Sequence, residues 1–532
     1  MKRKEFLMLG TLGALAACGT GNIFRKGDTY TLIQEDPAKK FGHMLRDGLQ
    51  KATAVQKKEK RILIIGAGIS GLSAAWMLKK QGIEDFVVLE LEKQPGGNSA
   101  YGKNDVSAYP LGAHYLPLPN RNYPELTEFL EKSGIISGYD PAGLPVYNEN
   151  YLCHEPEERL FIRNQWQEGL VPDYGLNAED RAEIKRFFAY MERFKEARGT
   201  DGKEAFAIPV EYSSRDEAWL AYDDISFAGW LQRENFRSPA LLWYAEYCMK
   251  DDYGTVPEKL SAWNGIHYFA CHKGKAANAV SSDVLTWPEG NGFLMEKLRS
   301  EVQEHILLKH MACSVSLDGT KKTVNVLRTD TQQSIEYSCR ELVMAVPLFI
   351  AARMLNKEDF PQVLPRMPYG SWLLANLTLK REPGGRGFPL SWDNVLYGSR
   401  GLGYVNACHQ NLQVVHDKIV ITYYHALTGA DPAELRKKAE HFDAAEWNRL
   451  VMDDLRTAHP DIGQLTEHME LRLLGHAMPS PVPGTMRRVL AGKNELPADI
   501  HFCHSELSGY SVFEEAFYQG CECARRLIKI SV

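Results

Sequence analysis

Arg61-Ile62-Leu63-Ile64-Ile65-Gly66-Ala67-Gly68-Ile69-Ser70-Gly71-Leu72 is the stretch whose reading decides the fold. Arg61 to Ile65 is a short apolar, β-branched run, the pattern of a buried parallel strand. Three glycines follow, and Leu72 to Gln81 then carries apolar residues at helical spacing up to Gly82. Phe86-Val87-Val88-Leu89 reads as a second strand with Glu90 at its end. Each glycine has its own task. Gly66 permits a tight turn, Gly68 lets backbone approach a pyrophosphate, and Gly71 lets helix pack on strand. Ile69 and Ser70 complete the turn as cofactor-binding candidates, and the helix that follows has first amides with no intrahelical partner that can face phosphates. Glu90 lies nineteen residues after Gly71, where a carboxylate can accept ribose hydroxyls. Strand, glycine turn, helix, strand and acid agree in order and spacing. They predict an α/β fold with a Rossmann-like parallel sheet that binds a dinucleotide.

Five residues after Glu90 come Gly96-Gly97-Asn98-Ser99. The glycine turn followed by Leu72-Ser73-Ala74-Ala75, then Glu90, Leu91 and this second glycine pair, resembles the FAD-binding fingerprint of flavin amine oxidases. Phytoene desaturases and protoporphyrinogen oxidases share it. Dehydrogenases that bind only NAD generally lack the second pair, so the resemblance implies FAD. Gly97 and Asn98 would approach the diphosphate as Gly68 does.

Later segments resemble the same family in the same order. Tyr109-Pro110-Leu111-Gly112-Ala113-His114-Tyr115 is similar to the small-residue turn beside the isoalloxazine ring. Trp287 to Leu294 is similar to the segment that opens a helix back in the FAD domain. Ile306-Leu307-Leu308 with Met311-Ala312-Cys313 resembles the strand whose backbone meets adenine, which implicates Ala312. Glu341 to Pro347 resembles the strand near that domain's end. His501 to Glu506 stands where the family has a strand followed by Ala-Gly-Glu, and Phe513 to Gly520 resembles the closing helix. Ser505, Glu506 and Val512 are thereby implied at the ribityl chain and the ring. Two departures stand out. His504 occupies the family's glycine position, with the acid shifted to Glu506. No lysine follows the Ala345-Val346-Pro347 strand, where amine oxidases use one near the flavin, and Arg353 is the approximate substitute.

The chain has 532 residues, enough for about three to four ordinary domains or two large ones. Hydrophobic residues make up 44%, which excludes a disordered chain. With 62 basic against 68 acidic residues, the net charge of −6 gives no footprint for nucleic acid. Ten cysteines without a CxxC pair support neither a disulfide scaffold nor a structural metal site. The resemblance divides the chain into an FAD-binding domain (58–118, 283–355 and 485–532) and a discontinuous α+β substrate-binding domain (119–282 and 356–484). In the latter, Asp180 to Glu196 reads as an amphipathic helix. Ser226-Phe227-Ala228-Gly229-Trp230-Leu231 reads as a capped helix start, and Ser238 to Lys250 as an aromatic-rich helix. Trp372 to Leu379 and Lys418 to Tyr424 read as strands.

Lys2, Arg3 and Lys4 head an apolar run from Phe6 to Ala17, which is shorter than the ~20 residues that span a bilayer. It ends Leu15-Ala16-Ala17-Cys18-Gly19, which resembles a bacterial lipobox. Arg3-Lys4-Glu5-Phe6-Leu7 also resembles a twin-arginine signal, a route that carries folded, cofactor-loaded proteins. Residues 1–18 are thus expected to direct export and a membrane anchor at Cys18, and residues 19–57 to be a polar tether.

Three function classes follow. The first is an FAD-dependent oxidoreductase acting on a C–N bond, with desaturation of an apolar C–C substrate as the alternative, and oxygen or another carrier as electron acceptor. The second is a flavoprotein that only transfers electrons. The third is an NAD dehydrogenase. Catalytic candidates are His114, which could accept a proton with a pKa near neutral, Arg353 and His409. Trp392-Asp393-Asn394, with Tyr404, His409, Tyr423 and Tyr424, are candidates for an aromatic pocket, and an ordinary sheet core is the preferred reading of Tyr423 and Tyr424. Cys503 reads as a buried thiol. Glu514 and Glu515 read as first-turn acids that favour the helix dipole.

Overall fold

The computed structural model describes residues 30–34, 37–47, 54–318, 321–355, 367–411, 417–491 and 500–531. The expected leader and Cys18 lie outside the described residues. Two sheets organise the molecule. In the first, Ile306–Leu307, Phe86–Leu89, Gln56–Ile65, Ser334–Met344 and His501–Phe502 run parallel. Lys321–Arg328 and His310–Asp318 extend it as an antiparallel flap on Ser334–Met344. Ile62, Leu63 and Ile64 are fully buried because both faces are covered. On one face lie the glycine-turn helix Ile69–Lys80 and the C-terminal helix Phe513–Ser531. On the other lies the short helix Leu348–Met354. The two long helices cross at Gly520, where a Cβ would stand 2.1 Å from Ser73 Oγ and 2.2 Å from the Ser70 carbonyl.

The second sheet has eight strands, in the order Thr31–Gln34, Thr466–Pro479, Tyr369–Leu379, Ile419–Leu427, Tyr404–Asn406, Asp393–Leu396, Glu158–Ile162 and Gln165–Glu168. Every residue of Tyr369–Leu379 is buried, and successive residues serve different cores. Trp372 and Leu374 face the helices Ala178–Glu196, Phe227–Arg233, Pro239–Tyr253 and Ala262–Ala270. Leu373, Ala375 and Leu377 face the helix Ala444–Leu455. The same alternation separates Tyr424 from Tyr423. Ser226 caps its helix by accepting the Gly229 N–H at 3.1 Å.

Residues 19–57 are not simply a tether. Thr31–Gln34 pairs in parallel with His468–Leu471 as an edge strand, and Pro37–Asp47 is a helix. Gln56 to Glu59 is the exposed start of the strand Gln56–Ile65, paired with Ile335–Ser338. An edge strand is held by backbone bonds along one side, so it leaves no long apolar period to read. Among the described residues no helix is long and apolar enough to cross a membrane.

Candidate functional site

The glycines of the first turn divide by what surrounds them. Gly66 has φ +102°, and a Cβ there would stand 2.5 Å from the Ala345 carbonyl oxygen. A Cβ on Gly71 would stand 1.9 Å from the Gly66 carbonyl, which is the helix-to-strand contact itself. A Cβ on Gly68, in contrast, would meet nothing within 4 Å. Opposite it stands the second glycine pair. Gly96 bridges to Gly68, and Gly97, at φ +57°, has only the Gly68 Cα within reach, at 3.7 Å. The two turns therefore leave an open cradle lined by backbone. The helix that starts at Ile69 has no side-chain cap, so its first amides face that cradle.

Glu90 closes one end. Its Oε2 accepts the Ala67 N–H and its Oε1 accepts the Glu92 N–H, both at 2.9 Å. Burial nonetheless raises its pKa to about 7. Leu91 is half-buried beside it. The His310 N–H donates to the Glu90 carbonyl at 2.7 Å, which lays the segment leading to the buried Ala312 alongside.

At the other end the turn Gly112-Ala113-His114 is pinned from two sides. The Ala113 N–H donates to the Asn98 carbonyl at 2.8 Å, and the Ala113 carbonyl accepts the Asn291 N–H at 3.0 Å. A Cβ on Gly112 would stand 2.1 Å from the Asn98 carbonyl, so glycine is required there by the protein alone. This turn opens on a cavity of about 110 Å³, closed from beyond by Val512, Phe513 and Glu514 at the start of the C-terminal helix. Asn291 lines it, 2% exposed, with Oδ1 lacking a hydrogen bond. The open glycine cradle, the uncapped helix, the Glu90 carboxylate and this orphaned oxygen fit an extended dinucleotide whose ring reaches the turn.

The cavity wall is acidic. Asp251 and Asp252 line it from the last turn of Pro239–Tyr253, and Glu514 lines it from the C-terminal helix. The Tyr510 hydroxyl donates to Asp252, yet burial raises that carboxyl to about 6. Asp251 is pushed well above the usual carboxylate range by burial and by repulsion from Asp252, Asp393 and Glu158. Glu514 is 3% exposed, and its Oε1 makes no hydrogen bond. The nearest cationic group is His272 Nε2, at 3.7 Å. On its far side His272 Nδ1 lies 3.5 Å from Cys271 Sγ. Burial opposes charge on that thiol, but His267 and His272 outweigh it and bring the thiol down to about 6. No lysine or arginine lines the cavity among the described residues.

His114 lines the cavity but is not poised near neutral. Burial lowers it to about 4, and its ring sits among Tyr424 at 4.7 Å, Tyr115 at 5.1 Å and Trp392 at 5.6 Å. The Tyr424 hydroxyl donates to the Gly112 carbonyl at 3.1 Å. Trp392 and Tyr424 thus back the wall of the site through His114 and Gly112 and do not themselves line the cavity. Tyr404 turns instead to Arg159 and His459, and Tyr423 to Asp454.

Two catalytic candidates fall elsewhere. Arg353 is exposed in the last turn of Leu348–Met354, outside the cavity. His409 donates from Nε2 to the His154 carbonyl at 2.7 Å and its ring lies tilted against the His154 ring at 4.2 Å, also outside the cavity. Proximity in sequence to a flavin-side strand does not carry a side chain through the sheet. Ser505 Oγ lies 3.4 Å from Ser511 Oγ. The buried Glu506 accepts the Leu348 N–H at 2.8 Å and the Tyr369 hydroxyl at 2.6 Å on Oε2. That carboxylate anchors a helix start, a role the sequence did not suggest. Cys503 is a buried free thiol. Among the described residues, Glu84, Glu304 and His305 could reach one metal ion, but they are exposed or half-buried and Lys79 pairs with Glu304.

The cavity-lining residues that sequence reasoning missed are Asp251, Asp252, His272 and Asn291, and Glu514 was read only as a dipole partner. One signal was available. Two acids in the last turn of a helix oppose its dipole, and such a placement calls for a cation nearby.

Residues 69–528 match the family described as flavin containing amine oxidoreductase. An L-amino acid oxidase of Cerastes cerastes is 34% identical over 90 residues, 17% of this chain and 16% of that protein. Polyamine oxidase 7 of Oryza sativa subsp. japonica is 31% identical over 98 residues, 18% of this chain and 21% of that protein. The alignments thus span about a fifth of these curated relatives. A solved double mutant of putrescine oxidase, from a redesign of cofactor binding, superposes with a TM-score of 0.65 at 15% identity. It covers 89% of this chain and all of that one, a likeness of fold.

Proposed function

The chain belongs to the flavin containing amine oxidoreductases, and on that premise we propose that it oxidises the C–N bond of an amine held as a cation beside FAD. The observation that carries this reading is the acidic cavity wall of Asp251, Asp252 and Glu514 opposite the turn Gly112-Ala113-His114. FAD, when bound, supplies the acceptor for the hydride that leaves the substrate carbon. The residues of this chain do the rest. Gly68 and Gly97 admit the diphosphate, the amides after Gly68 face its charge, and Glu90 receives ribose hydroxyls. The carboxylates of Asp252 and Glu514 hold the incoming ammonium, and one of them takes a proton from it, so that the nitrogen lone pair is free when the hydride leaves the carbon and an iminium remains. Neutral His114 and Tyr115, backed by Trp392 and Tyr424, form an apolar wall that keeps water from the reacting carbon.

Desaturation of an apolar chain is the alternative. It would bury those carboxylates against hydrocarbon, uncompensated, at a cost of several kcal/mol per ion. Anaerobic mixing of the purified holoenzyme with primary amines and, separately, with polyenes tests the choice. Amines bleach the flavin absorbance on the present reading. Bleaching by the polyene alone reverses it. Export as a lipoprotein anchored at Cys18, by the twin-arginine route, is also part of the proposal. Its support is the order of basic head, apolar run and Leu15-Ala16-Ala17-Cys18.

A further inference from the structure

We infer that Glu514 is the carboxylate that takes the substrate's proton, and that Cys271, ionised and acting through His272, is the positioning residue that prepares it. This rests on the amine-oxidising reading above and assigns two residues to its proton transfer. Three side chains stand in a row from the cavity inward. Glu514 lines the cavity at the start of the C-terminal helix, 3% exposed, and its Oε1 makes no hydrogen bond. His272, which also lines the cavity, places Nε2 3.7 Å from that oxygen, and this nitrogen too makes no hydrogen bond. His272 Nδ1 lies 3.5 Å from the Sγ of Cys271, which is fully buried behind the wall. Two facing polar atoms, each unpartnered and a small shift from a hydrogen bond, form a contact that can tighten when substrate binds.

Cys271 stands where an anion needs partners. It ends the helix Ala262–Ala270, with its N–H donated to the His267 carbonyl at 2.9 Å, so the helix dipole opposes negative charge there. Burial opposes it as well, yet His267 and His272 hold the thiol below its usual range. His267 donates from Nε2 to the Ala207 carbonyl at 2.8 Å, which leaves its Nδ1 without a hydrogen bond. Burial likewise opposes charge on His272, and Cys271 and Glu514 raise it nonetheless. The other titratable groups that act on this row are Asp252 and Tyr253 from Pro239–Tyr253, Tyr510, and Glu515 from the C-terminal helix. None of them is a base that carries positive charge. Lys273, next in sequence, turns to Glu204 at 2.9 Å and to the Phe206 carbonyl at 3.0 Å. The two histidines therefore supply the positive charge beside the thiolate.

Before the reaction the row holds a carboxylate, an imidazolium and a thiolate. When the ammonium gives a proton to Glu514, His272 loses the negative charge that favoured its own, and its Nδ1 proton passes to Cys271 Sγ. One N–H bond of the substrate breaks and one O–H bond forms; one N–H bond of His272 breaks and one S–H bond forms; no electrons change hands. The row ends as carboxylic acid, imidazole and thiol, with no charge left uncompensated in a buried place. Asp252 is the poorer acceptor, because the Tyr510 hydroxyl already donates to it, and it is left to hold the ammonium.

The test uses the holoenzyme. The ultraviolet absorbance of the wild type minus that of Cys271→Ala reports this thiolate alone and needs no substrate. It is expected to show the thiolate at neutral pH, and the same difference taken in a His272→Gln background should show it only at least about one pH unit higher. A primary amine then reduces the flavin anaerobically. At neutral pH Cys271→Ala should lower the limiting rate at least about tenfold, while the half-saturating concentration stays within about threefold. Cys271→Asp, which restores an anion behind His272, should recover most of that rate. The fall of the wild-type rate on acidification should coincide with protonation of the thiolate, and should be displaced in Cys271→Ala. Flavin content and melting temperature report whether each variant is folded. A protonated thiol in the wild type at neutral pH, or a Cys271→Ala rate and pH profile equal to the wild type, overturns the role of Cys271 and leaves the amine reading standing. No bleaching of the wild type by any amine, with the thiolate titrating as expected, overturns the amine reading and the proton step with it.

Discussion

Gly68 and Gly71 lie three residues apart, and substitution should affect them in opposite ways. The Gly68 Cβ position is open, so Gly68→Val should fold normally and lose FAD, with unchanged circular dichroism and no visible flavin absorbance. The Gly71 Cβ position is 1.9 Å from the Gly66 carbonyl, so Gly71→Ala should destabilise the fold itself, by about 1–3 kcal/mol in denaturant titration. Glu90 makes a pH prediction. Burial raises its folded pKa from 4.5 to about 7, so above that pH the fold carries a desolvated charge that ribose hydroxyls can relieve. As pH falls through about 7 the carboxylate takes up a proton, loses an acceptor site and binds FAD less well. Glu90→Gln should weaken binding by about 1.5–3 kcal/mol above neutral pH and abolish this pH dependence, as measured by flavin fluorescence on release. His114, lowered to about 4, should contribute no inflection near neutral to the rate of flavin reduction, and His114→Phe should keep the wild-type pH profile.

At the scale of the element, the helix Pro239–Tyr253 carries the tension between stability and function. Asp251 sits at its C-terminal end, opposed by the helix dipole and by neighbouring carboxyls. A carboxyl whose folded pKa is raised lowers stability once pH exceeds its unfolded value. Asp251→Asn should therefore raise the melting temperature at pH 7 to 8, and the gain should vanish below about pH 4, where both states are protonated. A melting temperature that falls at pH 7 would show that a cation of the protein already pairs with Asp251. The βαβ unit was legible in the sequence because glycine spacing and β-branched runs are local signals. Phe86–Leu89 is found as read, and the glycine-turn helix begins at Ile69. The acidic wall was not legible. Asp251, Glu514 and His272 come from three distant segments, and only the packing of two sheets and the helical layer brings them to one cavity. Arg353 and His409 were misplaced for the same reason. The side to which a short element turns its polar residues depends on neighbours far along the chain.

At the scale of the whole molecule, export and chemistry make separate predictions. If Cys18 bears a lipid, Cys18→Ser should move the protein from the membrane fraction to the supernatant without loss of flavin. Retention in the membrane would contradict the anchor. The two-sheet division also places the chemistry. On the proposed reading the groups that meet FAD come from the parallel sheet and its glycine turns, while the acids offered to substrate come from the helical layer, as Asp251 and Asp252, and from the C-terminal helix, as Glu514. The cavity lies where they meet, at the turn Gly112-Ala113-His114. The most direct test of this account is the concentration of amine that half-saturates anaerobic flavin bleaching, measured in the wild type and in Asp252→Asn. The account predicts bleaching in both, full flavin content in both, and a half-saturating concentration raised at least about tenfold in the variant. Unchanged half-saturation in Asp252→Asn, or no bleaching of the wild type by any amine, would contradict it.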